Sequence, residues 1–321
     1  MKKIIAALMA IALTLALGAC AAEPKTETGS IIQGTQVPVD PGTATQAPGD
    51  ASAEPGDATA DPGNTEKQPV VGSEGLVIDD YGDYCVVTDI GTFSGTELII
   101  PSHVDGKPVK TIDEDALFTE TAVTLYIPWT VKYIHEDAVS SCTKLESVTF
   151  SEGLISIGWG SFGGCPMLKT VTLPSTLERI SSSAFRDCAS LEEVTILGNP
   201  EVNSNAFTEC PSLKKVTFSG NSGAAYKVES SAFESDTSLE TVNFSAGLES
   251  IGSFCFAGCT SLSAIYLPAS LTKIESSAFL NIGSGTLKVY YAGSEDSWNN
   301  ISIASGNDAL LGAEIVYNYA G

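Results

Sequence analysis

Five cysteines recur in phase along the chain: Cys142, Cys165, Cys188, Cys210 and Cys259. Stacked copies of one thiol position would lie roughly 5–10 Å from their neighbours, the range in which disulfides and thiolate metal sites form. The sequence weighs against both. In other units the same position holds Glu120, Asp236 and Asn281, so no shared bond is required there. Side chains stacked in register point the same way, which suits a disulfide poorly. The position therefore reads as a core or turn ladder. Cys255 and Cys259 spell C-x-x-x-C, yet Cys255 fills a slot that other units give to alanine, and Cys85 stands alone.

The remaining chemistry-bearing residues are sparse. His103 and His135 are the two histidines and fall in different units, which leaves little scope for a Ser-His-Asp triad or a histidine metal site. Gly158, Gly160 and Gly163 spell G-x-G-x-x-G, but a dinucleotide site needs that motif between a strand and a helix of a βαβ unit. The aligned residues of the next unit are Ser181, Ser183 and Arg186, so the glycines belong to a turn. Asp79, Asp80 and Asp83 form an acidic turn without calcium-loop spacing. The other acids fall at variable positions, as on solvated faces. No catalytic constellation emerges, and no cofactor or metal is expected.

What must position these residues is a repeat. Residues 148–170, VTFSEGLISIGWGSFGGCPMLKT, recur as 171–193 and again as 242–264, a period of 23. Units this short cannot bury their own apolar side and must stack into a solenoid. One ladder reads Leu98, Leu125, Val148, Val171, Val194, Val216, Val242, Ile265, Val289. A second, two residues on, reads Ile100, Ile127, Phe150, Leu173, Ile196, Phe218, Phe244, Leu267, Tyr291. That alternation predicts inward-facing residues of a strand, and stacking predicts a parallel sheet with strands about 4.8 Å apart. L-x-x-I follows, as in Leu177/Ile180. Then comes a small-large pair, as in Ala184/Phe185, which predicts one tight helical turn with the ring in the core. The segment 219–227 carries extra residues, a loop leaving one face. Trp298 is expected to pack in the C-terminal cap; Trp129 and Trp159 lie on loops or turns.

Residues 168–188, LKTVTLPSTLERISSSAFRDC, fit L-x-x-V-x-L-P-x-x-L-x-x-I-x-x-x-A-F-x-x-C at every defined position. This pattern resembles the BspA-like leucine-rich repeat. The resemblance implies a strand-dominated α/β leucine-rich repeat solenoid of stacked ~23-residue units with a parallel sheet. On this reading residues 76–121 hold the N-terminal cap and first repeat, 122–288 the repeats and 289–321 the C-terminal cap. The family is found on microbial cell surfaces and is linked to adhesion.

The N-terminal region fits such an address. Residues 1–20 have Lys2 and Lys3, an apolar run and a small-residue end at Cys20, as in a secretory signal peptide too short to span a bilayer. Leu17-Gly18-Ala19-Cys20 resembles a bacterial lipobox, which implies cleavage and lipid attachment at Cys20, and hence a membrane partner through the anchor. Residues 21–75 read as a Pro/Gly-rich disordered tether. Pro-Gly pairs begin at Pro41, Pro48, Pro55 and Pro62, and such composition cannot offset its ordering entropy. A flexible coil of that length spans roughly 40 Å. The net charge of −23 repels phosphate backbones, so nucleic acid is not an expected partner.

The residue between the two inward strand positions must point outward. That ladder reads Ile99, Tyr126, Thr149, Thr172, Thr195, Thr217, Asn243, Tyr266 and Tyr290. In leucine-rich repeats it lines the concave, ligand-binding face. The threonines also suit a strand for propensity alone. Exposed tyrosine supplies contact area at low entropy cost, so Tyr266, Tyr290 and the nearby Lys288 form the expected centre of the site. The expectation is a lipid-anchored protein on the extracellular face of a bacterial membrane, non-enzymatic, binding an extracellular protein or glycan. The competing expectations are a structural envelope spacer without a specific ligand and, further off, a surface glycosidase.

Overall fold

The computed structural model describes residues 67–221, 223–283 and 287–320. The signal sequence, Cys20 and the Pro-Gly periods lie outside the described residues. Within them the chain winds as a strand-dominated solenoid, and each unit gives one strand to each of two sheets.

The first sheet is the one the alternation predicts. Its ten strands among the described residues run parallel from Glu97–Ile99 at one edge to Glu314–Val316 at the other. Pairing is in register: Val171 lies opposite Val194, Val194 opposite Val216, and Val216 opposite Val242. The second sheet was not read from the sequence. Its strands include the L-x-x-I segments, as in Ser156–Ile157 beside Arg179–Ile180, with Ile157, Ile180, Val202, Val228, Ile251 and Ile274 buried. These segments are too short for alternation to show, yet stacking lets two residues per unit build a continuous ladder. Antiparallel pairs stand out at the N-terminal end, where Val77–Asp80 pairs Cys85–Asp89 and His103–Val104 pairs Lys107–Ile112.

Between the sheets lies the core. Phe162, Phe185, Phe207, Phe233 and Phe256 stack one per unit, with neighbouring centroids 5.1–5.6 Å apart and planes within 5°. All five are fully buried. Each ring contributes about 1.5–3 kcal/mol by burial, and the offset stack adds to it.

The small-large pair does not form the expected helical turn. Two left-handed residues four apart bracket it: Ser183 and Asp187 (φ 59° each), Asn205 and Glu209 (φ 60° and 59°), Ser231 and Ser235 (φ 57° and 65°). A left-handed residue ends right-handed winding, so the segment is a series of turns. Gly160 (φ 59°) fills the first of these positions and Gly164 (φ 66°) the second, which accounts for part of the G-x-G-x-x-G run as turn chemistry. The turns also correct one alignment. Asn281 (φ 56°) occupies the second left-handed position beside Ser235 and Gly258, and the buried Ile282 takes the cysteine slot.

Stacking is continued by the backbone of these turns. The N–H of Phe162 donates to Ala184 O, Phe185 to Ala206 O, Phe207 to Ala232 O, Phe233 to Cys255 O, and Phe256 to Ala278 O, at 2.8–2.9 Å. At the last rung Phe279 N–H donates instead to the side chain of buried Asn307, at 3.0 Å. Asn307 Nδ2 donates to Glu275 O and Ala304 O, each at 2.9 Å. One amide thus supplies the acceptor that another repeat would have given. Trp298 packs in this cap as expected, edge-on to Tyr291 at 5.2 Å. At the other end, Ser73 N–H donates to Ile99 O and Ser73 Oγ accepts from Ile99 N–H, covering the edge of the first sheet.

Candidate functional site

The recurrent cysteines face inward. Cys142 Sγ donates to Leu117 O, Cys165 to Val139 O, Cys188 to Phe162 O, Cys210 to Phe185 O and Cys259 to Phe233 O, at 3.0–3.4 Å. Each thiol satisfies the carbonyl of the large residue one unit back. Burial pushes the Cys210, Cys255 and Cys259 thiols well above the ordinary range, away from the reactive thiolate. Asp236 takes the same slot and is fully buried; its Oδ1 accepts from Cys210 N–H at 2.8 Å, and its Oδ2 has no partner. The two histidines bond in separate places, His103 with Ser102 Oγ and His135 with Asp113, both at 3.1 Å.

The outward ladder is placed as the alternation predicts. Tyr126 lies opposite Thr149, Thr172 opposite Thr195, Thr195 opposite Thr217, Thr217 opposite Asn243, Asn243 opposite Tyr266, and Tyr266 opposite Tyr290. All are exposed or half-buried on one face of the ten-stranded sheet. No charge interrupts the row from Tyr126 to Tyr290. Charges stand beside it and pair along the stack, as in Lys169 with Glu146 at 2.6 Å and Lys214 with Glu192 at 2.8 Å.

At the C-terminal end the tyrosines converge. Tyr266 and Tyr290 stack at 4.5 Å with planes 8° apart. A third ring, Tyr319, leans on both, at 5.3 Å and 5.1 Å with tilts of 53° and 59°. It is brought there by the C-terminal segment, where Asn318 N–H donates to Gly293 O and Tyr319 N–H to Tyr291 O. Lys288 Nζ lies 5.6 Å from the Tyr290 ring centre and bonds Glu314 at 2.8 Å. Partial burial, together with Tyr290 and Tyr319, raises the Tyr266 phenol above its ordinary range. Sequence reasoning did not find Tyr319 or Glu314. Both follow the last repeat, where the period carries no information about position.

At the N-terminal end Tyr126 Oη accepts from Ser151 Oγ at 3.1 Å. Beside it is an open cavity of about 350 Å³ lined by Val70, Leu98, Ile99, Tyr126 and Thr149. A second hollow, about 680 Å³, borders the other sheet where the loop of residues 219–227 emerges, with Lys132, Glu178, Glu201, Lys227 and Glu249 at its wall. Asn199 ties that loop down by donating to Ala224 O and Ala246 O, each at 3.0 Å. Trp159 is exposed on a turn, and Trp129 is half-buried under Lys67.

Comparison with known proteins places this geometry. The *Treponema pallidum* leucine rich repeat protein TpLRR is 26% identical, with a TM-score of 0.53, over 60% of this chain and 90% of that one. A leucine-rich repeat protein from *Bacteroides ovatus* is 20% identical over 76% of this chain and 70% of that one (TM-score 0.48). A leucine rich cell surface protein from *Faecalibacterium prausnitzii* is 19% identical over 74% and 98% (TM-score 0.33). Among curated proteins none matches the chain. The family model of the BspA type leucine rich repeat region matches residues 110–228 and 226–291, in six copies. With the stacked units, the thiol and phenylalanine ladders and this match in agreement, the chain belongs to the BspA-type leucine-rich repeat family.

Proposed function

We propose that this is an exported surface protein, anchored by lipid at Cys20 and held out by a tether, whose solenoid binds an extracellular protein or glycan through the ladder from Tyr126 to Tyr290. The observation that carries this reading is the convergence of Tyr266, Tyr290 and Tyr319 at one end of an uncharged row. Rings presented on a sheet face offer large contact area with few rotors to freeze, which is how recognition surfaces gain affinity. A binding role also fits the charges beside this row, where Lys169 pairs Glu146 and Lys214 pairs Glu192 along the stack, leaving the row itself neutral. The membrane address rests on the sequence of residues 1–20.

The test is binding of the full chain to arrayed extracellular proteins and glycans, with and without Tyr266→Ala/Tyr290→Ala. Saturable binding that the double substitution weakens by tenfold or more is the expected result. Binding that survives it unchanged would exclude this face.

A further inference from the structure

We infer that the occupant of this face is a neutral, linear oligosaccharide lying along the row from Tyr126 to Tyr266, with one pyranose stacked on the face of Tyr266 turned away from Tyr290. The inference rests on the binding face proposed above and narrows its ligand.

Two rings lean on Tyr266, Tyr290 in parallel and Tyr319 at a tilt. Tyr290 lies against one face at 4.5 Å, and strand register sets Asn243 on the other side. Asn243 is exposed, and its amide is shorter than the ring that stacks on the opposite side. An apolar ring face beside an amide, followed by a line of hydroxyls, matches a pyranose. The sugar sets axial C–H bonds on the π surface and directs its hydroxyls outward to groups that donate and accept. Asn243, Thr217, Thr195, Thr172 and Thr149 supply one such group per rung.

Charge separates this occupant from others. The row itself is uncharged. In the parallel row two residues earlier, Glu193 and Lys215 face each other in register and cancel. A polyanion would find no cationic track and would meet a chain of net charge −23. A protein partner would look for aromatic or arginine anchors at the centre of its contact, and the centre of this row is threonine. The aromatic groups stand at its ends, Tyr126 beside its cavity and Tyr266 with its stack. Six rungs separate them, about 29 Å at the spacing of paired strands, room for roughly six sugars at one per rung.

The test uses the full chain on an array of neutral linear hexasaccharides (cello-, malto-, manno- and galacto-hexaose), their disaccharides, anionic glycosaminoglycan hexasaccharides and immobilised extracellular proteins. The expected result is retention of a neutral hexasaccharide over its disaccharide. Retention should fall roughly tenfold with Tyr266→Ala, be kept by Tyr266→Phe, and fall likewise with Thr195→Arg, which puts a charge mid-row. Melting curves of the variants check that these substitutions on the outward face leave the fold intact. If no neutral hexasaccharide is retained, or if retention ignores both Tyr266→Ala and Thr195→Arg, the inference is overturned. Retention of a protein instead, lost in Tyr266→Ala/Tyr290→Ala, overturns the glycan and leaves the face. Protein binding indifferent to that pair removes both.

Discussion

Tyr266 and Tyr290 are one full unit apart in sequence and in van der Waals stacking distance in space, 4.5 Å between ring centres. The pair is a product of register, since each ring stands at the same outward position of neighbouring strands. A double-mutant cycle in thermal unfolding (Tyr266→Ala, Tyr290→Ala and both) should give a coupling of about 0.5–1.5 kcal/mol, as for stacked aromatic pairs. Additive single effects would mean that the rings do not support each other in solution. Tyr319→Phe should also bring the Tyr266 phenol slightly down, because it removes a phenolate charge that opposes its ionisation while burial and Tyr290 continue to hold it up. The Tyr266 Cζ shift, followed by NMR against pH, reads this directly.

Asn307 ends the stack by substituting an amide oxygen for a missing carbonyl. Asn307→Ala leaves the buried Phe279 N–H, Glu275 O and Ala304 O without their partners. The expected cost is about 2–4 kcal/mol, well above a surface substitution. Because the defect lies at one end of a quasi-one-dimensional array, hydrogen exchange should rise first in the last two units. Uniform loss of protection along the solenoid would contradict this. Binding through Tyr266 and Tyr290 should weaken with the cap, since these strands are the ones that fray.

Phe254 holds a left-handed backbone (φ 57°) at a position where the other units use Asp115, Asp137, Gly160, Ser183, Asn205, Ser231 and Ser277. Its side chain is 41% exposed, so packing returns little for a conformation that bulky residues avoid. Phe254→Asn should therefore stabilise the chain by about 1 kcal/mol, seen as a higher denaturant midpoint at constant slope. A loss of stability would show that the ring makes a contact worth more than the strain.

The legible part of this fold was whatever repeats. Val171, Leu173 and Phe185 announce their burial because their equivalents in the other units repeat it, and Tyr266 its outward position because the buried Ile265 and Leu267 fix the phase on either side. The second sheet was missed for the opposite reason. Arg179–Ile180 is two residues long, and two residues have no period of their own. The turn around Ala184 was misread as helical, since the Ser183 and Asp187 conformations are set by stacking and leave only a weak preference for Gly, Ser, Asn and Asp. Tyr319 and Asn307 were out of reach because the chain leaves its period before it comes to them. Each is placed by the cap, and the cap occurs once.

Asp236 offers the sharpest test of the interior. It stands where five other units place a thiol that donates to a carbonyl one unit back, and the equivalent carbonyl here is that of Phe207. A carboxylate in that slot cannot donate, and burial among Cys210, Cys255 and Cys259 pushes its proton affinity well above the usual range. Protonated, it carries the donor hydrogen that a carboxylate lacks and that the thiols of the other units supply. In the unfolded chain the same group ionises near pH 4. Between that value and the raised one in the folded chain, folding takes up a proton, so stability contributed here is full below about pH 4 and declines as pH rises. Exposed carboxylates held low by lysine or arginine, Glu192 and Glu209, lean the other way but weakly. Asp236→Cys restores the thiol of the other units and removes the titrating group. It should raise stability at pH 8 by more than at pH 5, with both measured by urea unfolding at fixed ionic strength. An equal change at the two pH values would show that Asp236 is ionised in the folded chain and that its slot is satisfied in another way.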